Sequence, residues 1–207
     1  MQPVNIRERV LGHPIVYRLF KKLVLPRGVL ENLVNSDYKI EDGGRILDLG
    51  CGFGDYARFF AGRCVYLGID HNASYVATAR RLNHGLAVRF LVADVTDPVV
   101  VEHGPYDLVM LSGVLHHLDD ELVKELAGQI APLLNPGGRF VALEPVFDPD
   151  QGLLARLIIA ADRGRHVRNA PGYIACLKDG FVHISTRRVT GLLRIPYTHV
   201  VITGTVS

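Results

Sequence analysis

Three glycines in one short loop are the first residues whose types and spacing could hold a ligand. The stretch RILDLGCGFGDYARFF runs from Arg45 to Phe60, and Gly50, Gly52 and Gly54 alternate with other residues in it. Glycine lets the backbone turn sharply and approach a bound molecule, and a helix that follows would present unpaired N–H groups. A plain strand-to-helix turn has the same composition, so the glycines alone leave ligand binding open.

The spacing of these glycines disfavours a dinucleotide. A pyrophosphate-binding loop carries a third glycine where this chain has Asp55. A carboxylate at that position would repel a pyrophosphate from the helix N-terminus that binds it. A nicotinamide- or nucleotide-dependent oxidoreductase is therefore the less favoured alternative.

Acidic residues lie at the ends of the apolar runs around this loop. Asp48 precedes the glycines, Asp70 closes the run YLGID, and Asp94 closes FLVADV. The carboxyl ends of neighbouring parallel strands meet in one crevice, where open α/β sheets bind ligands. We therefore predict that the three carboxylates line that crevice. Asp70 would accept both hydroxyls of a ribose, and Asp94 would meet an adenine amino group beside the backbone of Val95.

A pair of histidines follows the fourth apolar run, in the segment SGVLHHLDD. Histidine is the side chain best suited to proton transfer near pH 7, so His116 and His117 are candidate general bases, with His117 preferred. Adjacent side chains point in different directions, so one of the two is expected to face a pocket. The alternative is that both histidines only shape the loop. Acids and histidines at a helix start are more often caps than ligands, so no metal is predicted.

The elements that must position these residues follow from the hydrophobic pattern. Five short runs of mostly Val, Ile, Leu and Phe alternate with helical patterns, which is typical of a doubly wound α/β sheet with buried parallel strands. A helix beginning after Asp119 should bury Leu122, Leu126, Ile130 and Leu133. The five predicted strands are Ile46–Leu49, Val65–Ile69, Val88–Val92, Leu108–Leu111 and Phe140–Leu143.

The two ends of the chain depart from this alternation. Residues 151–180 indicate two helices joined by a basic stretch, and residues 181–206 hold two β-rich runs that should pair as an antiparallel hairpin. Residues 4–40 have a helical pattern. We predict one domain over residues 1–207, divided into an N-terminal helical lid (1–44), a ligand-binding core (45–145), a helical insert (146–180) and a terminal hairpin (181–207).

The helical pattern near the start is amphipathic. Its polar face is basic, and a basic amphipathic helix can lie on a membrane surface. Packing of the apolar face on the protein's own domain is the favoured alternative. The apolar positions are Ile15, Val16, Leu19, Phe20, Leu23 and Val24, and the basic ones are Arg18, Lys21 and Lys22.

The composition excludes several classes of protein. The 207 residues suffice for one domain with a sizeable core, and a formal net charge of +2 argues against a dedicated nucleic-acid binder. Three cysteines without CxxC spacing fit free thiols in a reducing compartment. The first residues contain no apolar stretch typical of a signal peptide, and the run LIIAA is too short to span a bilayer. We predict a cytoplasmic protein without stable membrane insertion, and the sequence leaves its oligomeric state open.

Five motifs then resemble a known family in unbroken order. LDLGCGFG, GID, ADV, YDLVMLSGVLHHLDD and LLNPGGRFVALEP resemble the successive motifs of class I S-adenosylmethionine-dependent methyltransferases, in particular the small-molecule methyltransferase domain 11/12 type. The resemblance covers about residues 45–145. It implies a Rossmann-like seven-stranded sheet, S-adenosylmethionine as cofactor, and transfer of the methyl group to a small acceptor. A member of the family that binds the cofactor without turnover is the alternative.

The resemblance also implies roles for individual residues. The methionine end of the cofactor would lie against the first glycines and, near the methyl group, against the residues that follow the fourth strand. The ribose would contact Asp70, with His71 beside it, and adenine would contact Asp94 and Val95. The residues at the methionine end are Asp48, Gly50, Cys51, Gly52, Ser112 and Gly113.

Two features bear on the methyl acceptor. No Asn-Pro-Pro-Tyr-like tetrad follows the fourth strand, which makes a base or amide nitrogen less favoured and oxygen the preferred atom. The insert carries the densest basic cluster of the chain, which would suit an acidic or phosphorylated acceptor because arginine binds such groups through two hydrogen bonds. A solvated loop with one arginine paired to Asp162 is the alternative. The cluster consists of Arg163, Arg165, His166 and Arg168.

Overall fold

A computed structural model of the chain describes residues 23–94, 97–162 and 164–206. Most of the predicted N-terminal helix, together with Val95 and Arg163, therefore lies outside the described residues. In chain order the elements are α1 (Val29–Ser36), β1 (Arg45–Leu49), α2 (Ala57–Phe60), β2 (Val65–Asp70), α3 (Ala73–Leu82), β3 (Val88–Val92), α4 (Pro98–Glu102), β4 (Tyr106–Ser112), α5 (Asp120–Ile130), β5 (Leu134–Pro145), α6 (Leu153–Ala160), α7 (Ala170–Leu177), β6 (His183–Val189) and β7 (His199–Thr205).

The seven strands form one sheet in the order β3-β2-β1-β4-β5-β7-β6. Strands β1 to β5 pair in parallel, whereas β7 runs antiparallel to both β5 and β6. The predicted doubly wound sheet with a terminal hairpin is confirmed. The last strand is not at the edge, because its sequence HVVITGT is apolar enough to be buried between two neighbours, whereas HISTRRV in β6 is mostly exposed and forms the edge.

The helices pack against both faces of the sheet through apolar stripes. In α5 the buried side chains are Val123, Leu126, Ala127 and Ile130, and Asp119 caps the helix by accepting from the N–H of Leu122. Leu122 itself is 47% exposed, so its predicted burial is wrong. The stripe is centred about one residue further along than expected, because Val123 and Ala127 occupy its middle.

None of the helices in the three described ranges is long and apolar enough to cross a membrane.

Candidate functional site

The candidate site lies at the carboxyl ends of the central strands. In the observed strand order β1 lies between β2 and β4, so the connections leave β1 and β4 in opposite directions and open a crevice between them. Two loops border this crevice, one after β1 and one after β4. They touch each other closely, since a Cβ atom on Gly50 would lie 2.6 Å from Cγ2 of Val114. Gly50 also has φ +72°, so both its conformation and its neighbour require glycine there.

The backbone N–H groups of the glycine loop bond within the protein. Gly50 and Cys51 both donate to the carbonyl of Ile69 at 2.9 Å, and Gly54 donates to Cys51. Gly52 donates to the Asp70 carboxylate at 3.0 Å. These four donors are therefore engaged by β2 and by the loop itself, which removes the set of N–H groups that a pyrophosphate would need.

The helix that follows the glycine loop is a single turn. α2 covers only Ala57–Phe60, and no side chain caps its start. A helix of one turn has little dipole to offer an anion, because the macrodipole is the sum of aligned peptide units. Together with the engaged loop donors and Asp55, this disfavours the oxidoreductase alternative.

Asp70 occupies the position that the sequence predicted, at the end of β2 beside the glycine loop. Its side chain is 8% exposed, and its two oxygens accept from the N–H groups of Gly52 and Asn72, at 3.0 and 2.8 Å. The carboxylate is thus held in one orientation by backbone donors from both sides. His71 lies next to it, largely exposed, with Nδ1 3.8 Å from the Asp70 carboxylate.

Asp48 does not share this environment. It is only 2% exposed and accepts a hydrogen bond from the hydroxyl of Tyr66, one strand away on β2. Its carboxylate therefore lies in the interior beneath the glycine loop, whereas the sequence predicted it at the open edge with Asp70 and Asp94. The adjacent Cys51 is also buried, and burial raises the pKa of its thiol.

The remaining predicted cofactor residues are divided between the two rims of the crevice. Asp94 is exposed and lies two residues after the end of β3, while its predicted partner Val95 is outside the described residues. On the other rim Ser112 ends β4 and lies 3.4 Å from the hydroxyl of Tyr56. Gly113 follows with φ +71°. The structure thus brings Ser112 and Gly113 to the same crevice as the glycine loop.

Glu144, at the end of β5, accepts four hydrogen bonds from the loop after β4. It is fully buried (0% exposed), and its Oε1 accepts from the N–H groups of Val114 and Leu115, both at 2.9 Å. Its Oε2 accepts from Nδ1 of His116 at 2.6 Å and from the N–H of the same residue at 3.3 Å. One buried carboxylate therefore fixes the whole loop after β4.

His116 is held between two carboxylates. Its other ring nitrogen, Nε2, is 3.5 Å from Asp162 of the insert, and Asp162 also accepts from the hydroxyl of Tyr197 at 2.8 Å. Although burial alone would lower it, hydrogen bonds and charge from Asp162 and Glu144 raise the pKa of His116 to about 9. The same contacts hold the pKa of Asp162 below its usual value, against the effect of its burial. We call Glu144, His116, Asp162 and Tyr197 the clamp, because they join β5, the loop after β4, the insert and β7.

A second histidine faces the clamp without joining it. His199 of β7 has a buried Nδ1 with no hydrogen-bond partner, and burial lowers its pKa to about 4. His199 is therefore neutral when His116 is charged, and the two rings carry different protonation states at pH 7.

His117 lies in a different environment from its neighbour. It is exposed, and its ring centroid is 4.1 Å from that of His116. A proton acceptor must be unprotonated at the working pH, and His116, with its raised pKa and both nitrogens facing carboxylates, does not meet that condition at pH 7. His116 is therefore not suited to act as a base at pH 7, and His117 stays the predicted base.

One member of the predicted basic cluster of the insert, Arg168, is bonded within the protein. Arg168 donates to the Asp120 carboxylate at 2.7 Å and to the carbonyl oxygens of Leu115 and Leu118, at 3.1 and 2.8 Å. Its side chain is only 8% exposed. Asp162, for which the alternative expected an arginine partner, accepts from Tyr197 and lies 3.5 Å from His116, while Arg163 lies outside the described residues.

Among the described residues, no group of three or more His, Cys, Asp or Glu side chains is arranged to hold a metal ion. The clamp contains two carboxylates and a histidine, but the ring lies between the two acids and separates them.

The clamp predicts a pH-dependent stability. A group whose folded pKa is raised stabilises the fold fully below its unfolded pKa, near 6.5 for histidine, and loses that contribution as the pH rises through the folded value of about 9. Asp162→Asn should therefore lower the melting temperature more at pH 6 than at pH 9.5. Asp162 is ionised at both values and does not titrate between them, and neutral His199 does not titrate there either.

The matched control is Asp42→Asn, which removes an exposed carboxylate 2.8 Å from Arg63. That pair contains no histidine, so the small effect of Asp42→Asn should be the same at both pH values. Thermal unfolding, followed by circular dichroism, gives the change in melting temperature of each variant relative to the wild type at pH 6 and at pH 9.5. An equal loss for Asp162→Asn at both pH values would mean that His116 carries no charge in the fold.

The sequence analysis missed Glu144, Asp162 and Tyr197 as parts of one cluster. The available signal was Glu144, an acid that closes the buried run FVALE in the way that Asp70 closes YLGID. No comparable signal marks Asp162 and Tyr197, because their contacts depend on how the insert folds back over the strand ends.

Comparison with known proteins gives matches to a family model, to a relative and to solved structures. Residues 46–138 match the model of a family described as a methyltransferase domain. An uncharacterized methyltransferase from Bacillus cytotoxicus is 28% identical over 144 residues, which are 67% of this chain and 62% of that protein. The chain thus spans less than two thirds of this relative's length.

Solved structures share the fold at low sequence identity. The apo form of the S-adenosylmethionine-dependent methyltransferase SibL superposes with a TM-score of 0.72 and 21% identity, covering 92% of this chain and 57% of that one. Phosphoethanolamine N-methyltransferase 2 of Haemonchus contortus, in complex with phosphomonomethylethanolamine and S-adenosylhomocysteine, gives 0.74 and 15% identity over 99% of this chain and 61% of that one. These similarities establish a common fold.

Proposed function

Because residues 46–138 match the model of a methyltransferase-domain family, we propose that this chain is a class I S-adenosylmethionine-dependent methyltransferase, which transfers the methyl group of S-adenosylmethionine to a small-molecule acceptor and releases S-adenosylhomocysteine. The observation that carries the proposal is the setting of Asp70. Backbone donors hold its carboxylate at the end of β2, against a glycine loop whose own N–H groups are already bonded. That arrangement suits a ribose next to an uncharged backbone and does not suit a pyrophosphate.

The residues around the crevice fit such a cofactor. A Cβ on Gly52 would meet nothing within 4 Å, so the loop leaves open space beside the fixed Asp70 carboxylate. In this proposal Asp70 accepts the ribose hydroxyls with His71 beside it, and Asp94 and Val95 bind adenine. The methionine end lies along Gly50, Cys51, Gly52, Ser112 and Gly113, with Asp48 supporting the loop from beneath. When bound, the cofactor supplies an electrophilic methyl group on a positively charged sulfur.

We propose oxygen as the methylated atom. The tetrad at the end of β4, Ser112-Gly113-Val114-Leu115, has none of the side chains of an Asn-Pro-Pro-Tyr-like tetrad, which makes a base or amide nitrogen the less favoured acceptor. A hydroxyl must lose its proton as its oxygen bonds to the methyl carbon and the carbon–sulfur bond breaks. A base within reach of the loop after β4 is therefore part of the proposal, and His117 is that base. His116 holds the loop in place through the clamp.

We also propose an acidic acceptor, bound by fewer members of the basic cluster than the sequence predicted. Arg168 is engaged by Asp120 and by backbone carbonyls, so it supports the loop instead of an acceptor. Arg165 is exposed on the same segment and is the member whose guanidinium can meet a carboxylate or phosphate of the acceptor.

His117→Ala is expected to lower turnover by roughly a hundredfold while the affinity for S-adenosylhomocysteine stays the same, because a general base contributes to the chemical step and not to cofactor binding. Single-turnover kinetics from pH 6 to 9 on the first acceptor found would measure this. Unchanged turnover would remove His117 from the mechanism.

Isothermal titration of the purified chain with S-adenosylhomocysteine, and with NAD in parallel, tests the proposed function itself. Micromolar binding of S-adenosylhomocysteine alone supports it, and NAD binding would refute it. Binding without transfer to any of a series of hydroxylated acceptors would favour the non-catalytic alternative. Transfer is measured with a cofactor labelled in its methyl group.

A further inference from the structure

His199, the first residue of β7, has a buried ring nitrogen that the fold does not use. Its Nδ1 is buried and has no hydrogen-bond partner among the described residues, although the residue as a whole is partly exposed. Its neighbours across the sheet are Pro145 of β5 and Val189 of β6, and neither has a polar side chain. A buried polar atom without a partner lowers stability, so a histidine at this position calls for an explanation.

The strand register places His199 on the face of the sheet that borders the crevice. Side chains at paired positions share a face, and side chains alternate between faces along a strand. Ser112 at the end of β4 pairs with Leu143 of β5, and Leu143 pairs with Val201 of β7. His199 is two residues from Val201, so it lies on the same face as Ser112. Tyr56, just after the glycine loop, belongs to this face too, because its hydroxyl lies 3.4 Å from that of Ser112.

His199 lies on this face at a distance that suits a small acceptor. Strand β7 is two strands away from β4, which is roughly 10 Å across the sheet. His199 also lies two residues, about 7 Å, beyond the register of Ser112 towards the carboxyl ends of the parallel strands. The two Cα atoms are therefore about 12 Å apart, and Ser112 is at the proposed methyl end of the cofactor.

The surroundings of His199 keep its ring oriented and uncharged. The ring centroid of Tyr197 is 4.9 Å away, and the hydroxyl of Tyr197 is fixed by Asp162 of the clamp. Burial lowers the pKa of His199 to about 4, and the charge on His116 acts in the same direction, although the carboxylates of Glu144 and Asp162 oppose the shift. The ring is therefore neutral at pH 7.

The buried nitrogen decides where the single proton of the neutral ring lies. A buried N–H group without an acceptor is rarer in proteins than an acceptor without a donor, so Nδ1 is the unprotonated nitrogen and Nε2 carries the proton. Since Nδ1 is enclosed by the fold, Nε2 on the other edge of the ring is the nitrogen that can face the crevice. His199 thus offers a donor there and cannot serve as a second base.

The carboxylates near His199 are already paired within the described structure. Glu144 accepts from His116 and from the loop after β4, and Asp162 accepts from Tyr197 and lies 3.5 Å from His116. An ammonium group beside His199 would therefore lie near carboxylates whose charge His116 already balances. An oxygen atom at the same place would meet the Nε2–H group.

We propose that Nε2–H of His199 donates a hydrogen bond to an oxygen of the acceptor, and that His199 thereby selects an acceptor with a hydroxyl or carboxylate group at this place over one with an ammonium group. The hydrogen bond positions the acceptor, and His117 takes the proton in the proposed reaction. This inference rests on the proposed function, and it narrows the class of acceptor.

NMR of the chain labelled with ¹⁵N in its histidines tests the state of the ring without an acceptor. His199 should be neutral from pH 6 to 9, with its proton on Nε2, and its signals are identified by their loss in His199→Gln. A charged ring at pH 7, or a proton on Nδ1, would overturn the proposal.

Methyl transfer to two matched phenols tests the recognition itself. The probes are meta-hydroxymethylphenol and meta-aminomethylphenol, which share the ring and the phenol hydroxyl, whereas the second carries an ammonium group at pH 7. The wild type should prefer the first by about tenfold in kcat/KM. His199→Leu should raise the KM for it by about fivefold to tenfold, the effect of one hydrogen bond, with little change in kcat. Equal use of both phenols, no transfer to either, or an unchanged KM in His199→Leu would each contradict the proposal.

Two amide variants and a second histidine serve as matched controls. The amide nitrogen of His199→Gln reaches about as far as Nε2 and should keep the KM of the wild type, whereas that of His199→Asn reaches only as far as Nδ1 and should act like His199→Leu. His183 is exposed on β6 of the same hairpin, paired with Thr205 at the opposite end of the sheet, so His183→Leu should change neither KM nor kcat. Equal increases of KM in His199→Gln and His199→Leu would mean that only the shape of the ring matters.

Thermal unfolding and cofactor binding separate this role from a structural one and from the proposed function. His199→Leu removes an unpaired buried nitrogen, so its melting temperature should equal or exceed that of the wild type. A lower melting temperature would assign the ring a structural role and refute the proposal. Failure of S-adenosylhomocysteine to bind would refute the proposed function. Binding of S-adenosylhomocysteine together with any of the contrary results above would refute the role of His199 alone.

Discussion

Asp70→Ala should lower the affinity for S-adenosylhomocysteine by about a hundredfold or more. In the proposed complex its carboxylate accepts two ribose hydroxyls, and a hydrogen bond to a charged acceptor contributes about 1.5–3 kcal/mol. Loss of two such bonds therefore removes at least about 3 kcal/mol, which is a little more than two factors of ten in the dissociation constant. The substitution also frees the N–H of Gly52, so the glycine loop loses its tie to β2.

Two further variants make this experiment specific. Asp70→Asn keeps one oxygen for the N–H of Gly52 and should give an intermediate affinity. Asp97→Ala removes another aspartate that accepts from a backbone N–H, that of Val99 at the start of α4, and should cost some stability without changing cofactor affinity. Titration calorimetry and thermal unfolding of all three variants separate binding from folding. Equal affinity of wild type and Asp70→Ala would refute the assignment of the ribose to β2.

The sheet could be predicted because its signal is local. Each of the five parallel strands is a run of mostly apolar residues, so the runs themselves identify the strands, although β3 lies at the edge of the sheet and is only partly buried. The order of the last two strands was also accessible, since HVVITGT is far more apolar than HISTRRV. The exposure of Leu122 could not be predicted in this way. The apolar residues of α5 allow two orientations of the helix about its axis, and the packing partners decide between them.

A site residue could be predicted where an acidic residue type coincides with the end of a strand. The direction in which its side chain points could not be predicted, because it depends on buried neighbours. Asp70 lies where the pattern placed it, whereas Asp48 has the same kind of sequence context and is turned inward to Tyr66. Which way a carboxylate at a strand end faces depends on its neighbour across the sheet, and a tyrosine partner on β2 is not visible from the spacing of acids. The choice between His116 and His117 likewise depended on two acids, Glu144 and Asp162, that are distant in sequence.

Glu144→Gln should lower the free energy of unfolding by about 3–5 kcal/mol, the usual loss when one partner of a buried ion pair is removed. The amide oxygen can still accept from Val114 and Leu115, but the amide nitrogen would then face the protonated Nδ1 of His116, donor against donor. For a domain of this size the loss corresponds to a decrease of roughly 6–20 °C in melting temperature. Glu144→Ala leaves the backbone N–H groups unpaired as well and should be no more stable.

The comparison with Glu121→Gln shows whether the effect belongs to the clamp. Glu121 is an exposed acid 2.7 Å from Lys124, so its substitution should leave the melting temperature unchanged within error. Glu144→Gln should also weaken S-adenosylhomocysteine binding, because the loop that Glu144 fixes touches Gly50 through Val114. If Glu144→Gln melted like the wild type, the loop after β4 would have to be held by its remaining backbone contacts. In that case the raised pKa of His116 would have to come from Asp162 alone, and Asp162→Asn would return that pKa to the range of an ordinary histidine.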